Sequence, residues 1–434
     1  SYLSPENSIR AVIDGNYNTS TNGSFSACSL VINSGSTVTI APNTYIETEF
    51  NITNSGTLNI QDDGSLVQLN NLATFTGINN TVTRVSRPMK GRDFVYWGSP
   101  VQENVFSQIP ADFDLKYKWN LTGGFEGNFV NLSANPVVNG EGFVTRVKNI
   151  APYSQPGGGS LTFNFGGTLN SGTITIPAAR VNVYGDTQDD KLLASGNTVL
   201  LGNPYPSAIN ATALVNNPTN KDARKMGTLY FWTSVTEPIN GQYTKDDYAP
   251  WNLSGGTAPP SDPTNTSLIP SGNIASGQGF FAQVFVDGEV VFNNSMRIRD
   301  NNAQFFRMAE GTSEATTIET ELERHRIWVN LSNGTDAYRQ MMMGYIEGAT
   351  NDFDYQYDGA TFTTNEIDIY TLLDSNALSI QGRALPFETT DVIPLGYRIT
   401  NPGIYTITLG AMDGLFEGNQ EVYLKDKVTN TYHN

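Results

Sequence analysis

One cysteine and two histidines are all that 434 residues contain of the side chains most used for covalent and metal chemistry. Cys28 alone excludes an intrachain disulfide. No His/Cys cluster has zinc spacing. A Ser-His-Asp triad would need His325, at a composition break, or His433, at the penultimate position; neither place pre-organises a base. The G-x-S-x-G elbow, H-E-x-x-H, the P-loop and the dinucleotide fingerprint are all missing, and no catalytic residue is assigned. A glycosidase needs only two carboxylates, but nothing marks a pair. No run of about 18 apolar residues occurs, so no transmembrane helix is expected. Charge is sparse at 15% and one-sided, with 25 basic against 42 acidic residues and a net charge of −17. Such a surface repels phosphate backbones and argues against nucleic acid as a partner.

What is abundant is the vocabulary of strands and turns. The chain has 41 Gly and 21 Pro, a composition that favours many short strands joined by tight turns. Its length favours several cores over one. Within 1–87, VINSGSTVTIAPNTYIE aligns with ITNSGTLNIQDDGSLVQ. Asn33 answers Asn54, Val38 and Ile40 answer Leu58 and Ile60, and Ile46 answers Leu66. A unit this small cannot bury its own apolar side, so stacked coils of a β-solenoid are expected. Two successive hairpins are the alternative. Segments 11–28 and 71–85 match the repeat poorly but supply candidate outer coils. Cys28 alternates with apolar neighbours and reads as a buried small hydrophobe.

Residues 88–308 carry denser aromatics and read as one large, jelly-roll-like β-sandwich. Asp287-Gly288, between QVFV and EVVF, predicts a type I′ hairpin. Asn210 predicts a helix cap before ATALVNN, stopped by Pro218. Residues 309–324 are acidic and Thr-rich and read as a linker. From 325 to 434, strand-like runs alternate with polar turns, beginning with RIWVNL and its alternating Ile327, Val329 and Leu331.

The terminal stretch carries HRIWVNLSNGTDAYRQMMMGYIEG, SIQGRALPF, DVIPLGYRITNPGIYTITL and VYLKDKVTNTYHN. These phrases resemble the type C C-terminal sorting domain of Bacteroidota cargo for the type IX secretion system. AVIDGNYNT, MKGRDFVYWGSPV, LLGNPYPSAI and IASGQGFFAQV resemble phrases of flavobacterial surface proteins that bear this label. The resemblance implies an immunoglobulin-like terminal sandwich and a secreted or outer-membrane cell-surface location. It also implies passage through the outer-membrane translocon, with its shuttle barrel as a partner. The matching residues are Arg326, Ile327, Trp328, Val329 and Leu331; Gly382, Arg383, Leu385, Pro386 and Phe387; and Pro394, Leu395, Gly396 and Tyr397. Their implied role is to shape a recognised surface. Members of the family continue past KDKVTNTYHN with a further pair of strands, so the terminal unit is expected to lack its last strands.

Three binding expectations accompany this reading. Asp352, Asp354 and Asp358 lie at alternating positions in a turn, as calcium ligands do, although the pattern is not an EF-hand and a solvated acidic turn is the alternative. Trp251, in the polar stretch YTKDDYAPWNLSGG with Tyr248, is the tryptophan expected to be partly exposed, as a loop anchor or as a platform for polysaccharide. Open coil ends and an incomplete terminal sandwich predict self-association by strand pairing. The fold class expected is all-β: a short β-solenoid, a large β-sandwich and an immunoglobulin-like terminal sandwich. The function expected is non-catalytic, in adhesion, matrix or filament assembly. A carbohydrate-binding module, or less strongly a polysaccharide-degrading enzyme, is the alternative.

Overall fold

A computed structural model describes residues 9–120, 128–134, 136–178, 198–223, 225–236, 238, 243–244, 247–259, 269–302, 322–335, 337–361, 367–374, 376–418 and 420–433. The described chain is all-β, with helix confined to short turns such as α1 (Thr19–Asn22) and α2 (Ala211–Asn216). Asn210 caps α2 as its side chain predicts, accepting from the Ala213 N–H at 2.8 Å.

The first region is a β-solenoid of three parallel faces. Its strands are β1 (Arg10–Ile13), β2 (Tyr17–Asn18), β3 (Phe25–Ala27), β4 (Ser29–Ile32), β5 (Thr37–Ile40), β6 (Tyr45–Thr48), β7 (Ile52–Asn54), β8 (Thr57–Ile60), β9 (Ser65–Gln68), β10 (Phe75–Thr76) and β11 (Asn80–Val85). The faces run β1-β4-β7-β10, β2-β5-β8-β11 and β3-β6-β9. Val38 sits beside Leu58, Ile40 beside Ile60 and Ile46 beside Leu66, the partners that the repeat assigns. These side chains are fully buried, because stacking gives each coil the apolar neighbour it lacks alone. Segments 11–28 and 71–85 do form the outer coils, paired at both ends of the stack. At the corners the register slips by one residue, so that Ile32, not Asn33, lies beside Asn54. Asn54 turns inward, donating to Asn80 Oδ1 at 2.8 Å and accepting from Gly56 N–H at 2.9 Å. That pairing satisfies polar groups which burial would otherwise leave unmatched. Cys28 is half-buried rather than enclosed.

The middle region adds β12 (Phe94–Trp97), β13 (Phe113–Asn120), β14 (Asn128–Asn131), β15 (Phe143–Val147), β16 (Thr162–Gly166), β17 (Ile174–Ala178), β18 (Thr198–Gly202), β19 (Ala208–Asn210), β20 (Leu229–Trp232), β21 (Tyr248–Asn252), β22 (Gly255–Gly256), β23 (Asn273–Ile274), β24 (Gly279–Gln283), β25 (Gly288–Phe292) and β26 (Arg297–Ile298). The parallel stack ends where β16 runs antiparallel along β11. One apolar cluster then continues from Ile13 through Trp97 to Leu169, so packing is unbroken across residue 87. A second cluster gathers residues from Ile176 to Met296. Arg297 ties the two. Its Nη2 donates to Leu66 O at 2.5 Å and its guanidinium lies 4.9 Å over the Tyr205 ring. Burial pushes that guanidinium down to about 9.

The Asp287-Gly288 hairpin does not form. β24 is flanked on both sides, by β18 and β20, so it has no free edge for the strand that follows. The chain crosses instead, and β25 pairs with β17 in another sheet.

The terminal region holds β27 (Arg324–Ser332), β28 (Tyr338–Ile346), β29 (Gly359–Ala360), β30 (Ile367–Leu373), β31 (Asn376–Arg383), β32 (Leu395–Ile399) and β33 (Thr406–Met412), then a separate hairpin of β34 (Leu424–Asp426) and β35 (Thr431–His433). The first seven join in one sheet, in the order β32-β30-β31-β28-β27-β33, with β29 beside β31. Leu395 and Ile399 from one end and Ile407 from the other pack on the same cluster as Ile327, Val329, Leu331 and Met341. The sheet therefore curls around its own core. Of the acidic segment 309–324, only 322–324 lie among the described residues.

Candidate functional site

Three motif residues of the terminal region, Arg326, Trp328 and Gly382, gather at a seam against the β21–β22 hairpin. β27 is a strand with two loyalties. Ile327, Val329 and Leu331 face its own core, while Arg326 and Trp328 face the preceding region, as strand alternation requires. Trp328 is 8% exposed and packs with Met342 and Ile380. Its Nε1–H donates to Gly256 O at 2.9 Å. Arg326 stacks 4.9 Å over that indole. Arg326 Nε and Nη2 donate to Asp413 Oδ2 at 2.8 and 2.5 Å, its backbone N–H donates to Asp413 Oδ1 at 2.8 Å, and Nη1 donates to Ser254 O at 3.1 Å. A fork of this kind fixes direction as well as distance.

Two glycines make the close approach possible. A Cβ on Gly255, whose φ is +142°, would stand 2.6 Å from Arg326 Nη1. One on Gly382 would stand 2.7 Å from Ser254 Oγ. Ser254 Oγ in turn donates to Tyr357 O at 2.7 Å, and Ala258 N–H donates to Gln340 Oε1 at 3.0 Å. Arg326, Trp328 and Gly382 thus meet around Ser254.

Asp358 belongs to this seam. Its Oδ1 accepts from Gly382 N–H at 3.0 Å and its Oδ2 from Asp354 N–H at 2.7 Å. Burial raises its carboxyl to about 8, against the lowering by those two N–H groups. Asp354 is used in the same way, accepting from Thr350 N–H, while Asp352 stands exposed. Asp354 and Asp358 cap their own turn, and among the described residues no three His, Cys, Asp or Glu side chains form a group able to hold a metal.

The remaining motif residues fall elsewhere. Arg383 forks onto Asp391 at 2.8 and 3.1 Å, and Tyr345 O–H donates to the same carboxylate at 2.8 Å. This pins the loop that carries Leu385, Pro386 and Phe387, and Phe387 meets the rings of Tyr345 and Phe416. Leu395 and Gly396 lie half-buried on β32, and Gly396 makes room for the Tyr370 ring. Of the motif residues, only Pro386, Pro394 and Tyr397 are well exposed. Ile327, Trp328, Val329, Leu331 and Gly382 are buried in the core and the seam, and the others are half-buried. Asp413 and Ser254, which complete the seam, carry no local signal in the sequence; they are 87 and 72 residues from Arg326.

Trp251 corrects an expectation. It is 5% exposed, on a strand held between β20 and β22, and its indole lies against Gly272, where a Cβ would stand 2.8 Å from Cζ2. Polar neighbours in sequence suggest a loop; pairing on both sides makes it core. Tyr248, half-buried, donates or accepts at 2.7 Å with the Tyr96 hydroxyl and lies 4.9 Å from the Trp232 ring. Trp232 and Trp119 are half-buried, not enclosed like Trp97. The Trp232 Nε1–H is buried and has no acceptor. It lies in the wall of a cavity of about 30 Å³ shared with Arg87, Phe94, Tyr96 and Gln278. That volume suits a water rather than a sugar ring.

No helix among the described residues is long and apolar enough to cross a membrane. No curated protein and no solved structure matches the chain. A family model does, over residues 2–434: the chain belongs to the family described as Domain of unknown function (DUF8693).

Proposed function

We propose that this is a non-catalytic protein of the cell exterior, exported by a type IX secretion system and used as a structural element in adhesion, matrix or filament assembly. The observation that carries the reading is the seam. Across it Arg326 and Trp328 donate to Ser254 O and Gly256 O and Ser254 donates back to Tyr357 O, while Asp413 and Asp358 hold Arg326 and Gly382 in place from within the terminal region. The resemblance of residues 325–434 to a sorting domain supplies the route and the Bacteroidota source. The edge strand carrying Tyr397, with Pro394 just before it, is the part of the motif set that a translocon or shuttle barrel would meet. In a type IX-competent host, a reporter fused to residues 325–434 should reach the medium or cell surface, and should stop doing so in a strain without the translocon. A reporter retained in the periplasm of both strains refutes the route.

A second reading, saccharide binding, is favoured by the rings of Phe94, Trp232, Tyr243 and Tyr248, which touch one another at one place. Aromatic faces stack on the C–H face of a sugar. Saturable glycan binding that Trp232→Ala abolishes, with Trp251→Phe still binding, supports it. Glycan-array signals equal for Trp232→Ala and wild type dismiss it.

A further inference from the structure

The terminal sheet has two free ends that come close together. β32 and β33 stand at opposite ends of the hydrogen-bonded path, each with one neighbour among the described residues. Only residues 400–405 join them, a connection that reaches roughly 25 Å fully extended. The first and last strands of the sheet thus lie within that distance of each other where the connection leaves and enters them. Apolar side chains on these end strands and on their connection are poorly covered. Leu409 is 47% exposed, Tyr397 61% and Ile404 88%, and Ile399 and Ile407 are only half-buried although they pack on the core. A sheet that curls this far and leaves its end strands unpaired presents a template for one more strand.

The same chain carries a strand pair in need of a neighbour. Among the described residues, β34 and β35 pair only with each other. The hairpin is held from within: Asp426 accepts from Val428 N–H and Thr429 O–H at 2.7 Å each, and Lys425 Nζ lies 5.0 Å over the Tyr432 ring. Outwardly it shows Tyr423 at 52%, Tyr432 at 63% and Val428 at 95% exposure. A lone two-stranded hairpin is marginal in water and gains stability when a sheet receives it.

We propose that the β34–β35 hairpin of one molecule adds to the free edge of β33 in a second copy. Edge and hairpin are different surfaces of one chain, so the contact is head-to-tail, and repetition grows an open filament unless the rotation happens to close a ring. Backbone hydrogen bonds supply the register, and Leu409 and Ile404 receive the apolar side chains of the hairpin. With −17 charges per molecule, raising the salt concentration strengthens the contact by screening repulsion. The inference deepens the structural reading above, and the two fail separately: export of the reporter measures delivery, while the following experiment uses purified full-length chain and measures assembly alone.

Sedimentation and light scattering of the full chain are expected to show concentration-dependent oligomers. The edge variant Ile404→Lys/Leu409→Lys and the hairpin variant Val428→Lys/Tyr432→Lys each weaken assembly by at least about tenfold. Val392→Lys, at an apolar surface site 79% exposed and off both elements, leaves it unchanged. Mixed together, the edge and hairpin variants should form one-to-one dimers and nothing longer, because one intact edge and one intact hairpin remain. Circular dichroism matching wild type establishes that each variant is folded. A wild type monomeric up to about 1 mM, oligomers unaffected by both variants, or a monomer whose hairpin amides are protected by its own β33 would each overturn the proposal.

Discussion

Replacing Arg326 with alanine removes its bond across the seam together with the fork and stack that aim it, and its cost can be worked from the geometry. Three hydrogen bonds are lost, two to Asp413 and one to Ser254 O, together with the stack on Trp328. A buried charge-assisted bond is worth about 1.5–3 kcal/mol. This pair is partly wet, with side chains 20% and 29% exposed, so its net coupling falls to about 1–2 kcal/mol. The Ser254 contact adds about 1 kcal/mol, and the cation–π stack about 0.5–1 kcal/mol. Arg326→Ala should therefore cost about 2.5–4 kcal/mol, of which about 1 kcal/mol, the Ser254 bond, acts directly across the seam and the rest by no longer holding the strand that faces it. Global denaturation of a chain with several cores need not be two-state, so the assay is hydrogen exchange read by mass spectrometry. Peptides covering 253–258 and 324–332 should exchange faster, while the solenoid peptides do not. Arg326→Lys keeps the charge but loses the fork, and should recover less than half of the protection. A double-mutant cycle with Asp413→Ala should give about 1–2 kcal/mol of coupling. Coupling below about 0.5 kcal/mol, or exchange that rises equally everywhere, would refute the account of the seam.

Three further outcomes follow from other sites. Leu58→Ala, in the fully buried solenoid core, should cost about 2–5 kcal/mol, read as a lower urea midpoint for the solenoid. Gly255→Ala should open the seam as Arg326→Ala does, since the new methyl meets Arg326 and the backbone lies at positive φ; unchanged exchange at 253–258 would contradict this. Asp358 has a folded-state value of about 8, above the 3.8 it has when unfolded, so the folded state binds more protons between those limits. Its contribution is complete below about 4 and is lost as pH rises through about 8, and Asp63, Asp93 and Asp368 are raised by burial in the same sense. Stability should fall from mildly acidic to mildly basic pH, and Asp358→Asn should flatten the upper part of that slope. A wild-type urea midpoint that rises across this range contradicts the assignment.

Part of this fold depends only on near neighbours and on period, and that part is legible in the residues alone. The spacing of Val38, Ile40 and Ile46 against Leu58, Ile60 and Leu66 carried the solenoid and its register, because an apolar face that recurs every coil can be buried only by its own repeat. Asn210 carried its helix, because a cap acts within a few residues. The outer coils were harder to read, since their corners differ: one holds the short helix at Thr19–Asn22.

Other features were decided only when distant segments met. Asp287-Gly288 has hairpin chemistry, yet both edges of β24 were already taken by strands far away in the chain. Trp251 has loop-like neighbours, yet two flanking strands and Gly272 enclose it. Arg326 finds Asp413 and Ser254 across 87 and 72 residues, and Asp358 accepts from Gly382, 24 residues on. A strand pattern specifies which face is apolar, but not what that face will meet; side-chain partners across the seam are set by how the sheets pack, and no local spacing records it.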